Sequence, residues 1–66
     1  MRIEEVKKSL GREVRFRDRE GYTLTGCIIR FDKNKGSFFY QAELEDKRTN
    51  NSIVIARLEE IEICQR

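Results

Sequence analysis

The chain begins with apolar residues at helical spacing. Ile3, Val6 and Leu10 fall at i, i+3 and i+7, which places them on one face of a helix. Acidic residues come first in this segment and lysines follow, an order that suits the helix dipole. Gly11 can adopt the left-handed conformation that often ends a helix. The pattern therefore predicts a helix over about residues 2–10, docked through its apolar stripe.

The hydrophobic period then changes to two. Val14 and Phe16 alternate with charged residues, which is typical of a half-buried strand. Further strands are predicted over residues 22–31, 38–45 and 52–56 and from Ile61 onward, and the segments between them are polar turns at 18–21, 32–36 and 46–51. We predict one domain, 1–66, that is mainly β. It consists of the N-terminal helix and a small SH3-like (Sm-like) barrel of about five short strands over residues 12–64.

The second strand changes phase along its length. Leu24, Gly26 and Ile28 share one face, whereas Phe31 falls on the other, so we expect a bulge or sharp bend near Ile29–Arg30. Gly26 would then lie where the strand curls and a side chain would be costly. The predicted core follows from this phasing and comprises Val14, Phe16, Leu24, Ile28, Phe31, Phe38, Tyr40, Leu44, Ile53, Ile55 and Ile61.

Two stretches of the sequence carry a family resemblance. The helix ends in Leu10-Gly11, and residues 24–32 read apolar-x-Gly-x-apolar-x-x-Phe-Asp. Over residues 5–32 this arrangement resembles the Sm-like family, which includes the bacterial Sm-like RNA chaperone. The resemblance implies a small barrel, oligomer formation and RNA binding. The polar residue and the Arg-Gly or Lys-His pair with which such proteins contact RNA are not preserved here. The hydrophobic pattern also resembles other SH3-like barrels, including tudor and KOW modules, and a shared fold does not fix function.

Composition narrows the chemistry. Charged residues make up 39% of the chain and hydrophobic residues 38%, and no apolar run has the length of a membrane span. There is no His, and no Ser or Cys has a neighbouring base in sequence, so we predict neither an enzyme nor a metal, cofactor or small-molecule site. No secretory signal is evident, so we expect a cytoplasmic protein. Cys27 and Cys64 are then expected to be reduced thiols.

Positive charge is concentrated in the first half of the chain. The net charge is +2, but residues 1–35 hold ten Lys or Arg against six Asp or Glu. Arg15, Arg17, Lys33 and Lys35 are the candidate contacts for a nucleic acid, because two share one side of the first strand and two lie in the turn after the second. The alternative is a solvated sheet face on which these cations pair with Glu13, Asp18 and Glu20.

A second candidate surface is apolar. If the predicted core is correct, Ile29, Phe39 and Val54 lie on the outer side of the sheet, and exposed apolar clusters often mark partner surfaces. The alternative is that the N-terminal helix covers them. We therefore expect a non-catalytic protein-interaction or accessory module, with a protein partner or self-association. The alternative function is nucleic-acid binding through the basic strand face.

Overall fold

A computed structural model describes residues 1–64, and within them it has one short helix and five strands. The elements in chain order are α1 Ile3–Lys8, β1 Glu13–Phe16, β2 Arg19–Asp32, β3 Ser37–Asp46, the 3₁₀ turn η1 Lys47–Thr49, β4 Ser52–Arg57, the 3₁₀ turn η2 Leu58–Glu60 and β5 Ile61–Ile63. The prediction of a mainly β chain with an N-terminal helix is confirmed. The helix is shorter than the predicted 2–10, because Ser9 leaves helical geometry and Gly11 follows at φ +88°.

All five strands belong to one antiparallel sheet with the order β4-β3-β2-β1-β5. The strands differ greatly in length. β2 has 14 residues and β3 has 10, whereas β1 has only four. Within residues 1–64, β1 pairs with β2 only up to Thr23, and β4 pairs with β3 only from Gln41 onward. Residues 29–32 of β2 and 37–40 of β3 therefore pair only with each other.

The core lies on one face of the sheet, under α1. Its buried residues are Val6, Val14, Tyr22, Leu24, Ala42, Leu44, Ala56 and Ile61. Four of these, Val14, Leu24, Leu44 and Ile61, are predicted core residues and are confirmed. Predicted Phe16 packs against this cluster and is half-buried. Val6 is completely buried, so the helix is docked as its apolar stripe predicts, although Leu10 at the end of the stripe is exposed.

Part of the predicted core is wrong. The large side chains of Phe31, Phe38, Tyr40, Ile53 and Ile55 are all exposed, and Ile28 is only half-buried. The first three lie on the core-bearing face but beyond the reach of β1 and β4, so nothing covers them within residues 1–64. The two isoleucines of β4 pair with Glu45 and Glu43 on the opposite face of the sheet.

The phase change in β2 occurs earlier than predicted. The register shifts between Leu24 and Gly26, where Leu24 pairs with Leu44 and Gly26 pairs with Glu43. Thr25 is the extra residue of this bulge, and its hydroxyl donates to the Glu43 carbonyl at 3.1 Å. A Cβ added at Gly26 would meet nothing closer than 3.9 Å, so the steric cost predicted for a side chain there has no contact behind it.

The turn between β1 and β2 also differs from the prediction. The predicted turn covers 18–21, but the chain reverses at Arg17 and Asp18, with Phe16 paired to Arg19. Both turn residues are left-handed, at φ 50° and 63°, as a two-residue type I′ hairpin requires. Gly21 instead lies within β2 at φ +97°, where the register against β1 shifts.

Candidate interaction surface

The far ends of β2 and β3 form a two-stranded projection, which we call the arm and define as residues 27–40. Its strands pair through Ile29 with Tyr40 and Phe31 with Phe38, and the turn between them covers residues 33–36. Asp32 holds this turn: its Oδ1 accepts from the Asn34 amide at 2.9 Å, and its carbonyl accepts from the Gly36 amide at 2.8 Å. The tip of the arm is therefore an ordered turn.

One face of the arm is apolar and exposed. Directly paired residues share a face of a sheet, and the pair before Ile29 and Tyr40 on that face is Cys27 with the buried Ala42. The core-bearing face of the sheet therefore continues onto one face of the arm, which we call the inner face. The large residues of the inner face are Ile29, Phe31, Phe38 and Tyr40. Phe38 is 67% exposed, and its ring packs edge-on against Phe31 with centroids 5.0 Å apart.

The β3 edge of the arm is unpaired. β4 ends at Arg57, opposite Gln41, so among residues 1–64 no strand flanks the segment 37–40 on that side. A cavity of about 540 Å³ lies there. It is lined by Met1, Asp32, Lys35, Ser37, Phe39, Tyr40, Arg57, Leu58 and Glu59. The cavity therefore has apolar walls, and charges of both signs border it.

The predicted basic face is not formed as one surface. Arg15 lies on β1 and pairs with Glu62 of β5 at 4.0 Å. Arg17 lies in the turn after β1, not on the strand, and its Nε donates to the Glu60 carboxylate. This hydrogen bond, together with the positive charge of the guanidinium, lowers the pKa of Glu60 and raises that of Arg17. The carboxylates that pair with both arginines here, Glu62 and Glu60, lie in the C-terminal segment and are not among those that the alternative interpretation named.

The predicted lysines lie elsewhere, in the turn at the tip of the arm. Arg15 borders a different cavity from the one that Lys35 lines. Lys33 and Lys35 take part in none of the ion pairs among residues 1–64, and the same holds for Arg30 on the arm. Of the four predicted contact residues, the two lysines of the arm are therefore the ones outside the ion pairs among residues 1–64.

The predicted apolar surface is also divided. Ile29 is 57% exposed on the inner face of the arm, whereas Phe39 is exposed on the opposite face, paired with Arg30. Val54 pairs with Leu44 and is half-buried against the core. The three residues do not share a surface. Their predicted binding role stays a prediction for Ile29 and Phe39, which the arm exposes.

Sequence reasoning missed three exposed residues of the inner face, because their period-two spacing places them in the core. These are Phe31, Phe38 and Tyr40. The unequal lengths of the first two strands did indicate that part of the second strand would lack a neighbour. A strand of only four residues before the first turn cannot flank a second strand of ten or more, so much of the second strand must lack a neighbour on that side.

Residues 1–64 bring no group of three or more His, Cys, Asp or Glu together as a candidate metal site. Both cysteines are free and half-buried. No helix in this range has the length and apolar character needed to cross a membrane. In comparisons with known proteins, no family model, no curated protein and no solved structure matches this chain.

Proposed function

We propose that this chain is a small, non-catalytic protein-interaction module of the SH3-like or Sm-like kind, and that it binds its partner through the arm. The observation that carries the proposal is the exposed apolar inner face. Ile29, Phe31 and Phe38 are each more than half exposed on a projection from a 66-residue protein. Clusters of this kind mark interaction sites, and aromatic residues are enriched where proteins meet.

The connection between the two edge strands supports a barrel-like module. β4 and β5 are the opposite edges of the sheet, yet only the three residues of η2 join them. In a flat sheet four strand spacings of about 4.8 Å would separate the edges by roughly 19 Å. Three residues of 3₁₀ helix advance the chain by only about 6 Å. Strong curling of the sheet resolves this difference, and such curling is what a small barrel requires.

A second candidate is nucleic-acid binding, and the tip of the arm is the observation that favours it. Arg30, Lys33 and Lys35 lie close in sequence to the exposed rings of Phe31 and Phe38. Cations that track phosphates beside aromatic rings that stack on bases are typical of single-strand binding. This candidate differs from the predicted basic face, because Arg15 and Arg17 are engaged with carboxylates.

Site-specific photo-crosslinking tests both candidates in cells. A photoreactive phenylalanine analogue replaces Phe38, which is the most exposed large apolar residue of the arm. The matched control places it at Ile53, which is 56% exposed on the other face of the sheet and outside the arm. We expect protein adducts from position 38 and few from position 53.

Nuclease treatment of the adducts separates the two candidates. Protein adducts that survive nuclease support the interaction module, and adducts that collapse to the mass of the free chain on nuclease treatment support nucleic-acid binding. Equal yields at positions 38 and 53, or no adducts at position 38, would contradict binding through the arm.

A further inference from the structure

A helix covers the core-bearing face of the sheet over only part of its length. Ala42 is completely buried on this face, whereas Tyr40, two residues away on β3, is 39% exposed. Helix α1 packs over the buried part through Val6, and Met1, just before α1, lines the same cavity as Tyr40. The layer of helix on sheet therefore ends at the base of the arm. We propose that an acidic, amphipathic helix of the partner protein completes this layer by packing on the inner face. This inference rests on the proposed use of the arm as the binding surface.

The shape of the inner face favours a helix over an added strand. A strand added at the free β3 edge would extend the sheet sideways and leave the inner face exposed, whereas a helix packs on top of a sheet face. The inner face consists of two successive cross-strand pairs, Ile29 with Tyr40 and Phe31 with Phe38. Residues two apart on one strand are about 6.6–6.8 Å apart. Side chains three or four positions apart on a helix are about 5–6 Å apart. The apolar stripe of one helix can therefore contact both pairs.

The charges of the arm favour an acidic partner. Residues 27–40 contain one carboxylate, that of Asp32, and three cations: Arg30, Lys33 and Lys35. The carboxylate already accepts a hydrogen bond from the Asn34 amide of the tip turn at 2.9 Å. None of the three cations belongs to an ion pair among residues 1–64. The two lysines lie in the turn directly beyond the inner face, within reach of carboxylates at the edge of a docked helix. The arm of a second copy would bring the same excess of positive charge, and like charges brought together at an interface weaken it.

The size of the inner face indicates a reversible contact. Its four large side chains are between 39% and 67% exposed. An aromatic side chain offers about 150–250 Å², so roughly half of four such side chains gives roughly 400 Å² of contact surface. A helix that buries an equal area brings the total to roughly 800 Å², whereas stable interfaces bury about 1,200–2,000 Å². We therefore expect a dissociation constant on the order of micromolar or weaker.

Two synthetic peptides test the proposal by fluorescence anisotropy. Each has about 15 residues, enough for about four helical turns, with leucine at i, i+3, i+4 and i+7. They differ only at the polar positions, which are glutamate in one peptide and lysine in the other. We expect the wild type to bind the glutamate peptide at least about tenfold more tightly, with a difference that shrinks as salt screens the charges. The double variant Lys33→Glu/Lys35→Glu should reverse this preference.

Variants of apolar residues test whether the peptide binds on the inner face. Phe38→Ala should weaken binding of the glutamate peptide at least about tenfold, as truncation of a central aromatic residue does at protein interfaces. Ile53→Ala is the matched control, because Ile53 is 56% exposed and lies outside the arm, and it should bind as the wild type does. Circular dichroism shows whether each variant is folded.

A third peptide, with the same leucines and glutamates in strict alternation, has the period of a strand. The proposal is overturned if this peptide binds more tightly than the helical one, if the wild type does not prefer the glutamate peptide, or if Phe38→Ala and Ile53→Ala lose equal affinity. Tighter binding of oligothymidylate or of a second copy of the chain to the inner face would also overturn it. Protein adducts from position 38 without binding of the glutamate peptide would overturn this proposal alone, whereas the absence of such adducts would contradict the proposed function as well.

Discussion

Replacement of Leu44 by alanine should remove most of the stability of this fold. Leu44 is completely buried and pairs with Leu24 on one side and with Val54 on the other. The substitution deletes three carbons, which at about 0.8 kcal/mol per buried methylene amounts to about 2.4 kcal/mol of lost transfer free energy. The cavity left behind raises the cost to about 3–5 kcal/mol.

The cost of Leu44→Ala is comparable to the entire free energy of unfolding of so small a domain. A single core in a domain of this size supplies only about 3–5 kcal/mol of stability, so Leu44→Ala should leave a substantial unfolded population at 25 °C. The matched control is Ile55→Ala, which removes a side chain of similar size from the neighbouring strand. Ile55 is 42% exposed on the opposite face. Its replacement should cost about 1 kcal/mol, because the side chain is only partly removed from water on folding and its loss leaves no enclosed cavity.

Urea denaturation followed by circular dichroism measures both free energies of unfolding. The two variants are compared by how much free energy of unfolding each loses relative to the wild type. If Ile55→Ala is as destabilising as Leu44→Ala, the outer face of β4 is packed and the assignment of the core to one face is wrong.

Two further predictions concern the backbone and pH. Gly21→Ala should destabilise the fold by about 1–3 kcal/mol in the same denaturation assay, because φ is +97° and the added Cβ would lie 3.2 Å from the Arg48 Nε. Gly26→Ala, with ordinary contacts at 3.9 Å, should cost much less, and equal losses would contradict this difference. Arg17 keeps the pKa of Glu60 below its ordinary value of 4.5, so this pair stabilises the fold above that pH and the contribution is lost as the pH falls through the folded-state pKa. Acid titration of Glu60→Gln should therefore lack this part of the wild-type loss of stability, and identical acid profiles would contradict the pairing.

The elements that local sequence specifies were predictable. Gly11 follows the end of the helix in the left-handed conformation expected there, and its amide donates to the Leu24 carbonyl at 2.7 Å. Val14 and Leu44 are buried as their alternation with charged residues predicts. Helix ends and strand faces follow from the side-chain period and from glycine chemistry, both of which are visible within a few residues.

The first turn was not predictable because contacts distant in sequence determine it. Arg17 adopts a positive φ, which is uncommon for a residue with a side chain. Its amide donates to the Glu60 carbonyl at 3.2 Å, its guanidinium pairs with the Glu60 carboxylate, and it lies 5.1 Å from the centre of the Phe16 ring. These contacts to the end of η2 stabilise a turn that local propensity would place at Gly21.

The arm was not predictable for a different reason. A period of two indicates which face a residue occupies, but burial depends on how many strands flank it. Tyr40 and Leu44 lie on the same face of the same strand. Leu44 has β2 on one side and β4 on the other and is completely buried, whereas Tyr40 has only β2 and is 39% exposed. Neighbouring strands, which the alternation of one strand does not encode, decide the difference.

The bulge at Thr25 determines which side chains of the arm lie on the core-bearing face of the sheet. Without an extra residue, strict alternation from Leu24 would place Ile28 and Arg30 on the core face and send Ile29 and Phe31 to the opposite one. With the bulge, the core face continues from Leu24 through Cys27 into the exposed apolar residues of the arm. A single inserted residue thus keeps the charged Arg30 off that face. An apolar face aligned in this way over the unsupported half of a hairpin is suited to burial and lies uncovered within residues 1–64, which is why the arm is the surface that we propose binds a partner.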